Sequence, residues 1–246
     1  MEQVSTCFER DGHCEHEKSI FDPVAQPGGI YISKQPNDIK HLRHIFHRDG
    51  GLHIIYIVRD PRSVITSKHR GASEQYFCNY RVWRECERAA AHYDGHPRFL
   101  RLRYEDLVAD PDGVQARIQS HFTFLTRRHA FSNFHQFSRP SNASERAMGG
   151  VRKVDQASLS KWRQHLPRLA YQLRLYPALG DDLVRLGYEV DGQWLQLLEG
   201  VEALEYPCRY PERAQIFKEW EKSFRVYLKS RHYLRRLART AQTTPN

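Results

Sequence analysis

The stretch from Leu52 to Arg70, LHIIYIVRDPRSVITSKHR, constrains the fold more than any other part of the chain. Ile54, Ile55, Tyr56, Ile57 and Val58 are apolar on both faces of an extended strand. That is the pattern of a central strand in a covered parallel sheet. Arg59 closes the run. Asp60 suits a helix N-cap and Pro61 the first helical position, so a short helix is expected to follow, carrying Ser63, Val64 and Ser67. An arginine then sits at the carboxyl end of a strand, and a hydroxyl sits two turns into the next helix. Free amide N–H groups and the positive end of the helix dipole lie between them. Ligands of open α/β sheets bind at that end of the strands, and an anion suits such a corner. The plainer alternative is an ordinary strand–turn–helix corner whose Arg59 pairs with a surface carboxylate.

The other elements follow in order. Gly28 and Gly29 introduce a short strand, Ile30 to Ser33, followed by Lys34. Pro36 and Asn37 break it, and Ile39, Leu42, Ile45 and Phe46 have helical spacing. A helix is expected from about Gln75 to Tyr93, with Phe77, Val82, Cys86, Ala89 and Tyr93 turned inward. Phe99 to Arg103 reads as a strand that runs into Tyr104-Glu105-Asp106-Leu107. Asp110 as N-cap and Pro111 at the first position start the next helix, whose inner face is Val114, Ile118 and Phe122. Residues 123 to 157 are polar and loop-rich, a composition found in segments that close over sites. Leu159, Trp162, Leu166, Leu169 and Leu173 form an amphipathic face, bent or restarted at Pro167. A further helix, Asp181 to Leu186, ends at Gly187. Beyond Asp191, Trp194, Leu197, Leu198, Ile216, Phe217, Trp220 and Phe224 suggest extra helices packed on the domain. The tail from Lys229 to Arg239 is strongly basic and helical in pattern. It suits peripheral contact with anionic lipid or an acidic glycan, or else a solvated terminal helix.

Composition narrows the partners only a little. There are 38 Lys and Arg against 29 Asp and Glu, a formal charge of +9. That suits an anionic ligand, an acidic polymer or a membrane surface, or else is ordinary solubility charge, and composition does not separate these. Nucleic acid is disfavoured, because no recognition-helix motif is present and aromatic residues are not interleaved with basic ones. The five cysteines, Cys7, Cys14, Cys78, Cys86 and Cys208, are odd in number and irregularly spaced. With no signal peptide and no apolar run of membrane-spanning length, this implies a reducing compartment and a cytoplasmic protein. Cys7, His13, Cys14 and His16 lack a CxxC pair or a second ligand pair, so loose surface residues are a better reading than a zinc site.

Three segments resemble one family. Arg59 within RDPR, followed by Ser67 eight positions on, resembles the 3'-phosphate-binding segment of sulfotransferases, which use 3'-phosphoadenosine 5'-phosphosulfate as donor. RYEDLVADPDGV, some 45 residues later, resembles the family's YEDL-x-x-DP segment, and SLSKWRQHLP resembles a late segment of bacterial-type members. The resemblance covers roughly Ile30 to Val190. It implies an α/β fold: a three-layer α/β/α parallel sheet, P-loop-NTPase-like, over residues 1–190; beyond it, where the resemblance fades, the residue pattern suggests a helical extension over 191–246 packed on the domain. It implies that Arg59 and Ser67 hold the 3'-phosphate, that Tyr104 lies near the adenine, and that Lys34, in Lys34-Gln35-Pro36, faces the transferring sulfuryl group. Arg152 and Lys153 match the family's basic loop over the 3'-phosphate, except that the glycine that should follow is Val154. No metal is implied. The acceptor would be a hydroxyl on a carbohydrate or glycolipid.

Two family features are not found. No glycine-rich phosphosulfate loop follows an early strand, so the expectation is a chain truncated at its start or a degenerate member lacking the first strand–loop–helix unit. Glu9, Glu15, Glu17, His16 and His41 are the available positions for a catalytic base, and no motif selects among them. The alternative class is therefore a non-catalytic protein of the same fold that binds an anionic nucleotide or glycan. A nucleotide kinase is disfavoured by the absence of a glycine-rich lysine loop and magnesium ligands.

Overall fold

The computed structural model describes residues 37–69, 72–137, 151 and 156–243. The strand expected at Ile30 to Ser33 lies outside them. The chain divides into two compact units, one of residues 55–134 and 153–214, the other of residues 1–54, 135–152 and 215–246. In chain order the strands are β1 Ile54–Val58, β2 Lys68–His69, β3 Ala72–Tyr76 and β4 Phe99–Arg103. The helices are α1 Arg43–Phe46, α2 Pro61–Ile65, α3 Tyr80–Ala91, α4 Tyr104–Ala109, α5 Pro111–His121, α6 Phe134–Phe137, α7 Leu166–Leu175, α8 Ala178–Arg185 and α9 Ile216–Thr243.

In the first unit β1 pairs with β4. Their carboxyl ends lie side by side, because the Asp60 amide beyond β1 donates to Glu105 beyond β4 at 3.0 Å. The pair is therefore parallel, with α3 in the connection, as an α/β fold requires. β1 departs from the expected burial. Ile54 and Val58 are buried, but Ile55 and Ile57 on the opposite face are 42 % and 48 % exposed. Among the described residues the sheet has two strands here and is covered on one face, so an unbroken apolar run did not require burial on both.

β4 builds its own core against α5. Leu100 and Leu102 pack with Val114, Ile118 and Phe122, the inner face expected from the spacing. Asp110 caps α5 by accepting from the Gly113 amide at 2.9 Å, with Pro111 in the first turn. A second core gathers Val58, Ile65, Tyr80, Val82, Trp83, Trp162, Leu169, Leu179, Leu183 and Trp194.

α3 starts later than the sequence pattern suggests. Gln75 and Tyr76 belong to β3, which pairs antiparallel with β2. Tyr76 also exchanges hydrogen bonds with the segment at Pro207–Arg209, its amide donating to Pro207 O and its carbonyl accepting from Arg209 N. These partners are distant in sequence and leave no local periodicity. Asn79 then caps α3 through the Val82 amide.

The face from Leu159 to Leu173 is not one helix. It is two 3-10 turns, Gln156–Leu159 and Lys161–His165, before α7 begins with Pro167 in its first turn. α8 starts before Asp181 and ends as expected. Gly187 has φ +68°, and the Gly187 and Tyr188 amides donate to Val184 O and Leu183 O, a Schellman closure.

The second unit joins α1 to α9. The His44 ring meets Tyr227 edge-on at 5.3 Å, and the Tyr233 hydroxyl donates to Asp49 at 2.6 Å. The basic tail is helical, as its pattern indicates. His41 sits in this unit. Burial first, then the charges of Lys222 and Lys40, push its pKa down from 6.5 to about 4. Between those values the unfolded chain takes up a proton that the folded chain refuses, so stability falls as the pH drops through that window. We predict that His41→Gln loses less melting temperature than wild type between about pH 7 and about pH 5. Equal losses in paired thermal melts would refute it.

Candidate active site at the carboxyl edge of the strands

The carboxyl ends of β1 and β4 bring four elements together. α2 leaves β1, α4 leaves β4, and the 3-10 turn Gln156–Leu159 folds back onto both. Ser63 Oγ in α2 reaches Leu159 O at 3.3 Å. Arg59 is the residue at the centre. Its carbonyl accepts from the Trp83 indole at 3.2 Å, which fixes the backbone. Its guanidinium lies 4.4 Å from the centre of the Tyr104 ring, and Nη2 donates to Ser158 O at 2.8 Å. Arg59 Nε is buried and has no hydrogen-bond partner among the described residues. The Tyr104 hydroxyl lies 3.4 Å from Ser158 Oγ. A guanidinium held over an aromatic ring, with a buried donor to spare, fits an anionic oxygen such as that of a nucleotide phosphate.

The protein's own carboxylates occupy part of the helix start. Asp60 caps it, accepting from the Arg62 amide at 2.8 Å, while the Asp60 amide is taken by Glu105. α2 is five residues long and stops at Ile65, with Thr66 at its carboxyl cap. Ser67 therefore lies beyond the helix rather than two turns into it. It is exposed, its amide donates to Val64 O, and its carbonyl accepts from Phe77 N. The reason is local: Thr66 Oγ1 bonds Arg62 O at 2.6 Å and closes the last turn.

The second arginine of RDPR has a different task. The Arg62 side chain is 4 % exposed. It forms three bonds to the Asp60 carboxylate, at 2.7 to 3.1 Å, and one to Glu189. Its guanidinium also lies 4.2 Å from the Trp162 ring and 5.2 Å from Trp194. Burial, the largest influence, opposes its charge, yet Asp60 and then Glu189 outweigh it and hold its pKa above the ordinary arginine value. Glu105 completes the lattice, accepting from the Tyr188 hydroxyl at 3.4 Å. The Arg103 guanidinium lies over that ring, 4.4 Å from its centre.

Among the expected site residues, the structure thus brings Arg59 and Tyr104 together and leaves Ser67 on the exposed connection after α2. Lys34, Arg152 and Lys153 lie outside the described residues, as do Cys7, His13, Cys14 and His16. Ser158, Glu105 and Arg62 were not singled out by sequence. Glu105 sits inside the YEDL string and Arg62 inside RDPR, so both had a signal. Ser158 opens the SLSKWRQHLP segment, so it had a signal as well, but its contacts to Arg59 and Tyr104 are to residues far away in the chain. Cys78, Cys86 and Cys208 form no disulfide, and among the described residues no helix is long and apolar enough to cross a membrane.

Residues 5–124 match the family model described as the sulfotransferase family. The matched residues are similar to sulfotransferases. The match spans just under half of the 246 residues. It includes RDPR and the YEDL segment, and therefore both strands whose ends build this corner. No curated protein and no solved structure gives a significant match. Sulfotransferases move a sulfuryl group to an acceptor, and the match supports that general chemistry, on a hydroxyl-bearing acceptor, for this chain.

Removing Arg62 should unfold the corner. We predict that Arg62→Leu costs about 3–5 kcal/mol, because it strands the buried Asp60 carboxylate without its counter-charge. Asp60→Asn in the same chain should restore part of the loss. Urea unfolding measures both, and a single-variant cost below about 1 kcal/mol would contradict the assignment.

Proposed function

We propose that this protein is a sulfotransferase that moves the sulfuryl group of 3'-phosphoadenosine 5'-phosphosulfate to a hydroxyl acceptor on a carbohydrate or glycolipid. The sheet edge belongs, in this reading, to the three-layer P-loop-like fold of the family. The observation that carries it is Arg59, with a buried unpartnered Nε and its guanidinium over the Tyr104 ring, in a segment matched by the family model.

In this reading the donor supplies an activated sulfuryl group, and the chain's residues bind and orient. Arg59 takes the 3'-phosphate through its guanidinium. Ser67, exposed beside the short helix, adds a hydroxyl, and Tyr104 offers its ring to the adenine. Arg152 and Lys153 cover the same phosphate. Lys34 neutralises charge on the sulfuryl or bridging oxygens as the bond to the donor breaks. The acceptor proton leaves to a base drawn from the available Glu and His side chains.

The amide lattice supports a side-chain grip on phosphate. Asp60 and Glu105 already occupy the amides of Arg62 and Asp60, so the charge that meets an incoming phosphate is the Arg59 guanidinium. Calorimetric titration with 3'-phosphoadenosine 5'-phosphate tests this. Arg59→Ala should weaken binding by about a hundredfold, the loss of charged hydrogen bonds. Ser67→Ala should cost about 1 kcal/mol, one neutral donor. Micromolar binding by wild type with unchanged affinity in Arg59→Ala would sink the site assignment.

A further inference from the structure

The second unit carries a surface with no part in sulfuryl transfer. On α9, Phe217, Trp220, Phe224 and Leu228 are 88 %, 67 %, 47 % and 48 % exposed. Steps of three, four and four place them in one stripe along the helix. The Trp220 and Phe224 rings stack within it, 5.6 Å apart and 7° from parallel. This is not the face by which α9 packs in its own unit. That face is Tyr227 against His44, Tyr233 against Asp49, and Ser230, which is 1 % exposed.

Charge surrounds the stripe. Continuing its steps past Leu228 leads to Arg231 and Arg235, both exposed. Lys218, Arg225 and Lys229 lie on the next face round the helix and are exposed as well, Arg225 paired with Glu221, which borders the stripe. Over Ile216–Thr243 the sequence holds eight Lys and Arg and two Glu.

We propose that α9 is an interfacial helix that lies on an anionic lipid surface. Its aromatic stripe enters the boundary between headgroups and acyl chains, and its cations rest on lipid phosphates. An occupant must offer apolar depth and negative charge along the same line, and an anionic bilayer surface does both. A second copy of this helix fits worse. Stripe against stripe would bring two helices of the same strong positive charge together.

The test uses the full chain and two kinds of vesicle, phosphatidylcholine alone and phosphatidylcholine with about 30 mol % phosphatidylserine. Trp83, Trp162 and Trp194 are 6 %, 4 % and 6 % exposed, so a blue shift in tryptophan fluorescence reports on Trp220. The expected result is co-sedimentation with the anionic vesicles, weakened by salt and accompanied by that shift. Trp220→Ser with Phe224→Ser should weaken partitioning by at least about tenfold. Both side chains are exposed, so the double variant should keep its fold, which circular dichroism checks. The proposal is overturned by no binding to anionic vesicles at low salt, or by equal binding of the double variant. It is also overturned by a dimer in solution that dissociates in the double variant while vesicles leave the protein unbound. Titration with 3'-phosphoadenosine 5'-phosphate reads a site to which no residue of α9 is assigned, so the two readings can fail separately.

Discussion

The buried guanidinium of Arg62 holds the sheet edge together. An arginine with a side chain 4 % exposed is costly unless its donors are used and its charge is met. Here Asp60 and Glu189 meet the charge, and the indoles of Trp162 and Trp194 cover the faces. These partners come from the β1–α2 corner, the 3-10 turn before α7, and the chain beyond α8. One side chain thus ties segments that are far apart in sequence to the place where β1 ends. The position of Arg59, three residues earlier, is a consequence. Its carbonyl is anchored by Trp83 and its guanidinium by Tyr104, both on elements that this lattice fixes.

The same lattice decides how an anion can be held. A helix N-terminus is an anion site because its first amides lack partners. At α2 the Arg62 amide is used by the Asp60 carboxylate, and the amide of the cap residue Asp60 by Glu105. A ligand phosphate arriving there would meet negative charge at the backbone. It would meet positive charge at Arg59, whose Nε is buried without a partner among the described residues. Capping that makes a five-residue helix stable is therefore in direct competition with anion binding by that helix. The side chain before the cap is what remains for a ligand.

Local signals in the sequence were read well where the interaction is local. Asp60 with Pro61, Asp110 with Pro111, and Gly187 after α8 act within a few residues of themselves, and the structure follows each. The inner face of α5 was legible because β4 packs on the side that helical spacing selects. The misreadings share a cause. β3 replaced the start of an expected helix because Tyr76 takes its partners from Pro207 and Arg209. The face from Leu159 to Leu173 has helical spacing but becomes 3-10 turns, since Ser158 and Leu159 spend their carbonyls on Arg59 and Ser63. The candidate site divides the same way. Arg59 and Tyr104 came from motifs with an assigned role, whereas Ser158, which touches both, opens the SLSKWRQHLP segment, to which no role was attached.

The two arginines of RDPR show why a motif does not assign roles by residue type. Both are guanidinium groups at one corner, three positions apart, and each lies over an aromatic ring. What separates them is how their donors are used. Arg62 gives three bonds to one carboxylate and another to a second, and its charge is spent inside the fold. Arg59 gives one bond to a neutral carbonyl, which neither neutralises it nor uses its buried Nε. A carbonyl partner is weaker than a carboxylate and can be exchanged for a charged oxygen at small loss. Among the described residues Arg59 is thus held in place without a carboxylate partner, which is the condition for a guanidinium to bind an anion from solution. Lysine would not meet it as well, because an ammonium has no flat face for Tyr104 and no fork to keep one arm on Ser158 while offering another.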